Sequence, residues 1–196
     1  MSRHNHKESG FTMVELLVVA VVSALISGMI FVFFWSSIRS FFTIEETSIA
    51  VNDKLRVVYR VSQVLRSGTT ITEASSTAIT IYAYFSPQDS TLSQVRYVYD
   101  SGAKTLSVTR IPAQGTAPNY TYPPASGTTT TLLKNFTASG NVFSFKDANG
   151  NTGPFNTNTY KDIKEVTIDL NSPSAREQSA NQLKTNIVLR NRKTNL

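Results

Sequence analysis

The stretch that decides the fold is Gly10-Phe11-Thr12-Met13-Val14-Glu15, which runs directly into an apolar segment from Leu16 to Ile38. That segment holds 23 residues without a charged side chain, and as an α-helix it would be roughly 35 Å long. Because the hydrocarbon core of a bilayer is about 30 Å thick, the segment predicts a membrane-spanning helix. The carboxylate of Glu15 is costly in lipid, and such charges usually have a protein partner or a function.

The ten residues that precede this stretch, MSRHNHKESG, are polar, contain Arg3 and Lys7 and end in Gly10. A secretory signal peptide has a cleavage site with small residues after its apolar run, and none is found here. An ordinary single-span anchor, in which Glu15 occurs by chance, is the other alternative. The feature that separates the alternatives is a removable leader combined with a carboxylate at the start of the apolar segment.

The order of Gly10, Phe11, Thr12, two apolar residues and Glu15 resembles the N-terminal segment of type IV prepilins and of the related pseudopilins. The resemblance implies that a prepilin peptidase cuts after Gly10 and that the new N-terminal residue, Phe11, is N-methylated. It further implies that Phe11 and Glu15 serve subunit assembly, with the carboxylate neutralising the Phe11 amine of a neighbouring subunit. An unpaired charge in an apolar bundle is expensive, so such a pair would specify the axial register.

The same resemblance implies the partners and the location. The partners are prepilin peptidase, other pilin or pseudopilin subunits, an inner-membrane assembly platform and membrane lipid. The basic leader is expected to stay cytoplasmic. The chain is then a single-pass protein of the cytoplasmic membrane with its head outside, and later part of a pilus or pseudopilus at the cell surface or in the periplasm.

Beyond the apolar segment, apolar residues recur at helical spacing as far as Leu65, before a predicted C-terminal cap at Gly68. The sequence therefore predicts four parts: a cleaved leader (1–10), the transmembrane and assembly half of a long helix (11–38), its amphipathic half (39–67) and a β-rich head (68–196). The fold class is α+β, with the helix packed against a C-terminal antiparallel sheet.

Within the head, segments rich in β-branched and aromatic residues predict strands, separated by a turn at Asp100-Ser101-Gly102 and a Pro- and Thr-rich loop over 112–131. The strands are expected at 78–85, 94–99, 104–111, 132–137, 142–146, 163–170 and 183–190.

The composition argues against catalysis. The chain has no cysteine, and its two histidines, His4 and His6, both lie in the leader. A processed chain would therefore lack the commonest general base, the usual zinc ligands and every thiol nucleophile. We expect no enzymatic activity, no catalytic residue, no cofactor and no metal site. The formal net charge of +6 is typical of a soluble surface.

Three weaker patterns are open. Asp147 to Asn151 places oxygen ligands at alternate positions, as calcium loops do, but a hairpin turn explains the segment better. The tyrosines of two neighbouring predicted strands could stack on bases or pack across the sheet; they are Tyr82, Tyr84, Tyr97 and Tyr99. DNA is a possible partner without motif support, since a terminal cluster of Arg190, Arg192 and Lys193 is usually a solvated end.

The predicted function is that of a structural subunit of a type IV pilus or of a type II secretion or competence pseudopilus. Many major pilins close a C-terminal loop with a disulfide, so a chain without cysteine is more similar to a minor subunit. The segments 163–170 and Ile187 to Asn191 also resemble the tails of J-type minor pseudopilins. The alternative is a single-span membrane-anchored surface protein for binding or adhesion that does not polymerise.

Overall fold

The computed structural model describes residues 12–171 and 183–189, and for residues 43–50 it describes the backbone only. The chain divides into two compact units, of which the first ends at Ile49 and the second begins at Ala50. One α-helix, α1, covers Met13–Arg66 and contributes residues to both units. The eight described strands all belong to the second unit. The architecture is α+β and pilin-like, as the sequence predicts.

The helix ends one residue before the expected Ser67. The N–H of Ser67 donates to the carbonyl of Val64 over 3.1 Å, and the N–H of Gly68 donates to that of Leu65 over 3.0 Å. Gly68 does not have the positive φ expected of a left-handed cap. A glycine is required there for space instead, because a Cβ would overlap the side chain of Ile81 on the neighbouring strand.

The strands form two antiparallel sheets. The first has the order β1-β2-β3-β4-β5 and the second the order β6-β7-β8. The first five strands are β1 Thr70–Ala74, β2 Ala78–Ala83, β3 Ser93–Asp100, β4 Thr105–Pro112 and β5 Thr128–Leu133. The other three are β6 Phe143–Asp147, β7 Ile163–Asp169 and β8 Lys184–Val188.

Two of these strands correct the sequence analysis. Strand β1 was not expected, and β5 covers Thr128–Leu133 where 132–137 was predicted. The Pro- and Thr-rich loop is therefore shorter than 112–131, and it contains a short 3-10 helix at Pro124–Ser126. A run of four threonines has high β-propensity, which outweighs the glycine and prolines just before it.

The core of the second unit lies between the end of α1 and the inner faces of the sheets. Tyr97 in β3 stands opposite Ile79 in β2 and Val108 in β4, and all three are buried. In the second sheet, Phe143 faces Ile168. The helix contributes a stripe of buried side chains to the same cluster: Val57, Val58, Val61, Val64 and Leu65.

The opposite face of the five-stranded sheet is polar. A single register row crosses all five strands, and it consists of Glu73, Thr80, Arg96, Thr109 and Thr129. Arg96 donates from Nε and Nη2 to the two carboxylate oxygens of Glu73, over 2.8 and 3.0 Å. Thr80 donates to Glu73 over 2.6 Å. Such a row is compatible with solvent and leaves the helix-facing side as the apolar one.

Candidate functional site

The first turn of α1 is closed by a reciprocal pair of side chains. The N–H and the hydroxyl of Thr12 both donate to Oε2 of Glu15, over 3.1 Å each. In return, the N–H of Glu15 donates to the hydroxyl of Thr12 over 3.3 Å. Because α1 begins at Met13, Thr12 is the N-cap residue and Glu15 is the third residue of the helix. This arrangement is a capping box.

The capping box uses only one of the two oxygens of the Glu15 carboxylate. Among the described residues, Oε1 receives no hydrogen bond, whereas Oε2 receives two. The carboxylate also lies in the first turn of the helix, where the backbone dipole favours a negative charge. One half of the carboxylate therefore fixes the start of the helix, and the other half is free for a cation.

The helix that follows has a large apolar surface without cover in its own unit. Met13–Phe42 is long and apolar enough to cross a membrane, with a mean hydropathy of 2.8, and none of its most apolar window is buried. Even the least exposed of its large apolar side chains, that of Val22, is 47% exposed. A monomeric soluble surface rarely has so extensive an apolar patch. This segment therefore requires lipid or the helices of other subunits around it.

Residues 5–31 match a family model described as the prokaryotic N-terminal methylation motif. The chain carries a prepilin-type N-terminal segment. This prepilin-type segment is the region that prepilin peptidase cleaves and methylates, so the chain has the features of a pilin-like or pseudopilin-like substrate of that enzyme. Together with the apolar helix, it fits a membrane-anchored pilin that assembles with other pilins. No curated protein matches the chain.

Of the sequence-predicted site residues, Glu15 is described, whereas Gly10 and Phe11 lie outside the described residues. Thr12 is the residue that sequence reasoning missed. The signal was present, because Thr12-Met13-Val14-Glu15 followed by an apolar run fits the capping-box pattern of Ser or Thr with Glu three residues later. The four residues from Thr12 to Glu15 therefore close the start of the helix and are also part of the segment that matches the methylation motif.

The tyrosines of the predicted stacking platform do not share a surface. Tyr97 and Tyr99 point into the core and are buried, whereas Tyr82 lies on the opposite face of the sheet. There the Tyr82 ring packs against Tyr122 at a centroid distance of 4.7 Å. Tyr84 follows the end of β2 and is exposed. The packing alternative thus describes Tyr97 and Tyr99, and the four tyrosines do not form the predicted platform.

The segment from Asp147 to Asn151 is a turn held by its first carboxylate. Oδ1 of Asp147 accepts the N–H groups of Asn149 and Asn151, over 2.8 and 2.9 Å, and Oδ2 accepts the side-chain amide of Asn151 over 2.9 Å. The Asn151 side chain, followed by the backbone donors, lowers the pKa of Asp147. Both oxygens are therefore occupied within the turn. The basic terminal residues Arg190, Arg192 and Lys193 lie outside the described part of the chain.

Proposed function

We propose that this chain is a subunit of a type IV pilus or of a type II secretion or competence pseudopilus. In this proposal it is cleaved between Gly10 and Phe11, methylated on Phe11 and assembled through α1. The observation that carries the proposal is the continuity of the methylation motif at residues 5–31 with the exposed apolar helix segment Met13–Phe42. A plain anchor requires the apolar segment but not the motif.

The geometry of Glu15 supports a specific role in assembly. Removal of the leader would create an amine at Phe11, close to the apolar zone. An unpaired amine in such a medium is costly unless a carboxylate neutralises it. On a neighbouring subunit, Oε1 of Glu15 can accept a hydrogen bond from that amine, while Oε2 keeps its hydrogen bonds to Thr12. The subunit would then enter the filament without losing the capping box at the start of its own helix.

We assign a minor, non-catalytic role to the subunit. The chain contains no cysteine, and so it lacks the C-terminal disulfide found in many major pilins. In the described residues no group of three or more His, Asp or Glu side chains is arranged to hold a metal ion. The proposed parts are the leader (1–10), the assembly half of the helix (11–38), its amphipathic half (39–67) and the head (68–196). Before assembly the head lies outside a single span of the cytoplasmic membrane.

The proposal is tested by mass spectrometry of the chain isolated from cells that have a prepilin peptidase. We expect the N-terminal peptide to begin at methylated Phe11. A matched variant, Gly10→Leu, places a bulky residue at the cleavage site and should keep the leader attached. A wild-type chain that retains Met1, or that is cut after the apolar segment, contradicts the proposal. Processed protein that never enters sheared filaments supports the alternative of a non-polymerising surface protein.

A further inference from the structure

A cleft of about 300 Å³ opens in the second unit, beside the end of α1. The helix contributes Gln63 and Arg66 to its lining, Ser67 follows directly after them, and the chain just after β2 contributes Tyr84 and Phe85. This volume is at the lower end of the range of small-ligand sites, which combine aromatic walls with a few polar groups. The prepilin-type segment belongs to the other unit.

Phe85 lies between two arginines in this region. The guanidinium carbon of Arg60 is 4.9 Å from the ring centroid of Phe85, and that of Arg110 is 5.1 Å from it. Arg110 is neutralised, because it donates to Asp89 over 2.9 Å and to the hydroxyl of Ser93 over 3.1 Å. The same oxygen of Asp89 also accepts the N–H of Ser86 over 3.0 Å. The Asp89 carboxylate is therefore already in use.

Two further arginines near the cleft lack a carboxylate. In the described part of the chain, neither Arg60 nor Arg66 forms a salt bridge, and both side chains are exposed. The three salt bridges that do occur join Arg96 to Glu73, Arg110 to Asp89 and Lys146 to Glu165. Arg60 stands above a wall residue of the cleft and Arg66 lines it. The positive charge at this site is therefore not compensated by the described residues.

Tyr97, a buried residue of β3, carries a phenol on which the charge of Arg60 acts. The hydroxyl of Tyr97 is buried, and it has no hydrogen-bond partner among the described residues. Burial raises the pKa of Tyr97, and the charge of Arg60 opposes that rise. A buried donor without an acceptor costs free energy, and native structures usually supply a partner.

Two of the carbonyl groups at the end of α1 already accept hydrogen bonds from the residues that follow the helix. The carbonyl oxygen of Val64 accepts both the N–H and the hydroxyl of Ser67, over 3.1 and 2.8 Å. That of Leu65 accepts the N–H of Gly68 over 3.0 Å. The hydroxyl of Ser67 in turn accepts the N–H of Tyr84 over 3.1 Å, which holds the aromatic wall against the helix.

We propose that this cleft binds a small aromatic oxyanion, either a phosphate ester or a carboxylate, with the oxyanion on Arg60 and Arg66 and the flat ring against Tyr84. Guanidinium groups pair with both oxyanions in a two-pronged geometry. The Tyr84 ring is 40% exposed and is free to stack on a ligand ring. This proposal does not depend on polymerisation of the chain.

The proposal is tested by isothermal titration calorimetry on the full chain in micelles of an uncharged detergent. The probes are phenyl phosphate, benzoate, inorganic phosphate and phenol. We expect phenyl phosphate or benzoate to bind, and the tighter of the two identifies the oxyanion. Phenol and inorganic phosphate should each bind at least tenfold more weakly. Binding of neither aromatic anion overturns the proposal, and inorganic phosphate as tight as phenyl phosphate overturns the role of the aromatic wall.

Charge-neutral variants locate the site. Arg60→Gln with Arg66→Gln should weaken binding by at least tenfold. The matched control is Arg56→Gln, which removes an exposed arginine of the same helix that does not line the cleft. It should leave the affinity within about twofold of wild type. Equal losses in the control and in the double variant would show binding to general surface charge and overturn the proposal. Thermal unfolding by circular dichroism confirms that each variant remains folded.

Discussion

At the scale of single residues, Glu15 combines two features: its carboxylate caps the first turn of the helix, and it carries a charge that can pair with an amine. A carboxylate near the start of a membrane helix is costly, but the three hydrogen bonds between Thr12 and Glu15 reduce that cost by closing the first turn. Because both donors converge on Oε2, the helix start and a bond to a foreign amine do not compete for the same oxygen. The charge and the cap can therefore be separated by substitution.

Glu15→Gln and Thr12→Ala separate the two roles. The glutamine oxygen can still accept from Thr12, as in a capping box, but it cannot neutralise an amine. A stranded buried charge costs about 3–5 kcal/mol, whereas loss of an N-cap costs about 1 kcal/mol. We expect Glu15→Gln to lower the share of processed protein in sheared filaments by about a hundredfold or more, and Thr12→Ala by roughly fivefold.

The measurement compares sheared filaments with the membrane fraction, with leader removal checked in each variant. If the Glu15→Gln variant enters filaments at the wild-type level, this would contradict the proposed pair between Glu15 and the Phe11 amine. A loss in Thr12→Ala as large as that in Glu15→Gln would instead place the function of Glu15 in the helix start.

At the scale of the elements, most strands could be predicted because their apolar and aromatic residues alternate or run together. β3 is a clear case, since every second residue from Ser93 to Tyr99 is buried. Strand β1, TITEA, was missed because five residues with one fully buried apolar side chain, that of Ile71, carry little periodic signal. Its pairing with β2 comes from tertiary context and from Glu73, which reaches across to Arg96.

The candidate site was predictable to a similar degree. Glu15 and the methylation motif follow from a local pattern of residues, and so the sequence alone identified them. The cleft could not be found in this way, because Arg60 and Phe85 are 25 positions apart and meet only when β2 packs beside the end of α1. A lone arginine in an amphipathic helix is usually only a solvated side chain.

The outer row of the five-stranded sheet gives a pH-dependent contribution to stability. The two hydrogen bonds from Arg96 hold the pKa of Glu73 below its ordinary value of 4.5, and Thr80 acts in the same direction. A carboxyl group with a lowered folded-state pKa stabilises the fold above its ordinary pKa and loses that contribution as the pH falls through the folded-state pKa. Because both side chains are partly exposed, the contribution is below about 1 kcal/mol.

We therefore predict a difference between wild type and Arg96→Met in urea unfolding at pH 7 and at pH 3. Wild type should be the more stable at pH 7, and the gap should narrow at pH 3, because Glu73 loses its negative charge as the pH falls towards its lowered pKa. The other carboxyl groups, Asp147 among them, are common to both proteins and cancel in the comparison. A gap that is constant or wider at pH 3 would contradict the assigned pair.

At the scale of the whole molecule, the two units have opposite requirements. The first unit exposes its apolar side chains from Met13 to Phe42 and needs an external apolar medium. The second unit buries its apolar side chains in a core, and the helix residues that contribute to this core come after Ala50. The same helix thus presents an uncovered apolar surface in one unit and a core surface in the other. The second unit should fold without the first.

We predict that the fragment 50–196 is a soluble monomer with cooperative thermal unfolding and that the fragment 68–196 is not. The shorter fragment lacks the five buried apolar side chains that the helix contributes to the core: Val57, Val58, Val61, Val64 and Leu65. At about 1.5–3 kcal/mol each, their burial is worth roughly 7–15 kcal/mol, as much as the whole net stability of an ordinary domain. Removing them also exposes the inner face of the five-stranded sheet, which favours aggregation. In the fragment 50–196, Leu65→Ala should cost about 2–5 kcal/mol, whereas Leu55→Ala, at a position 45% exposed on the same helix, should change little. Calorimetry and sedimentation of both fragments check this, and equal solubility and cooperativity of the two would show that the helix does not belong to the core.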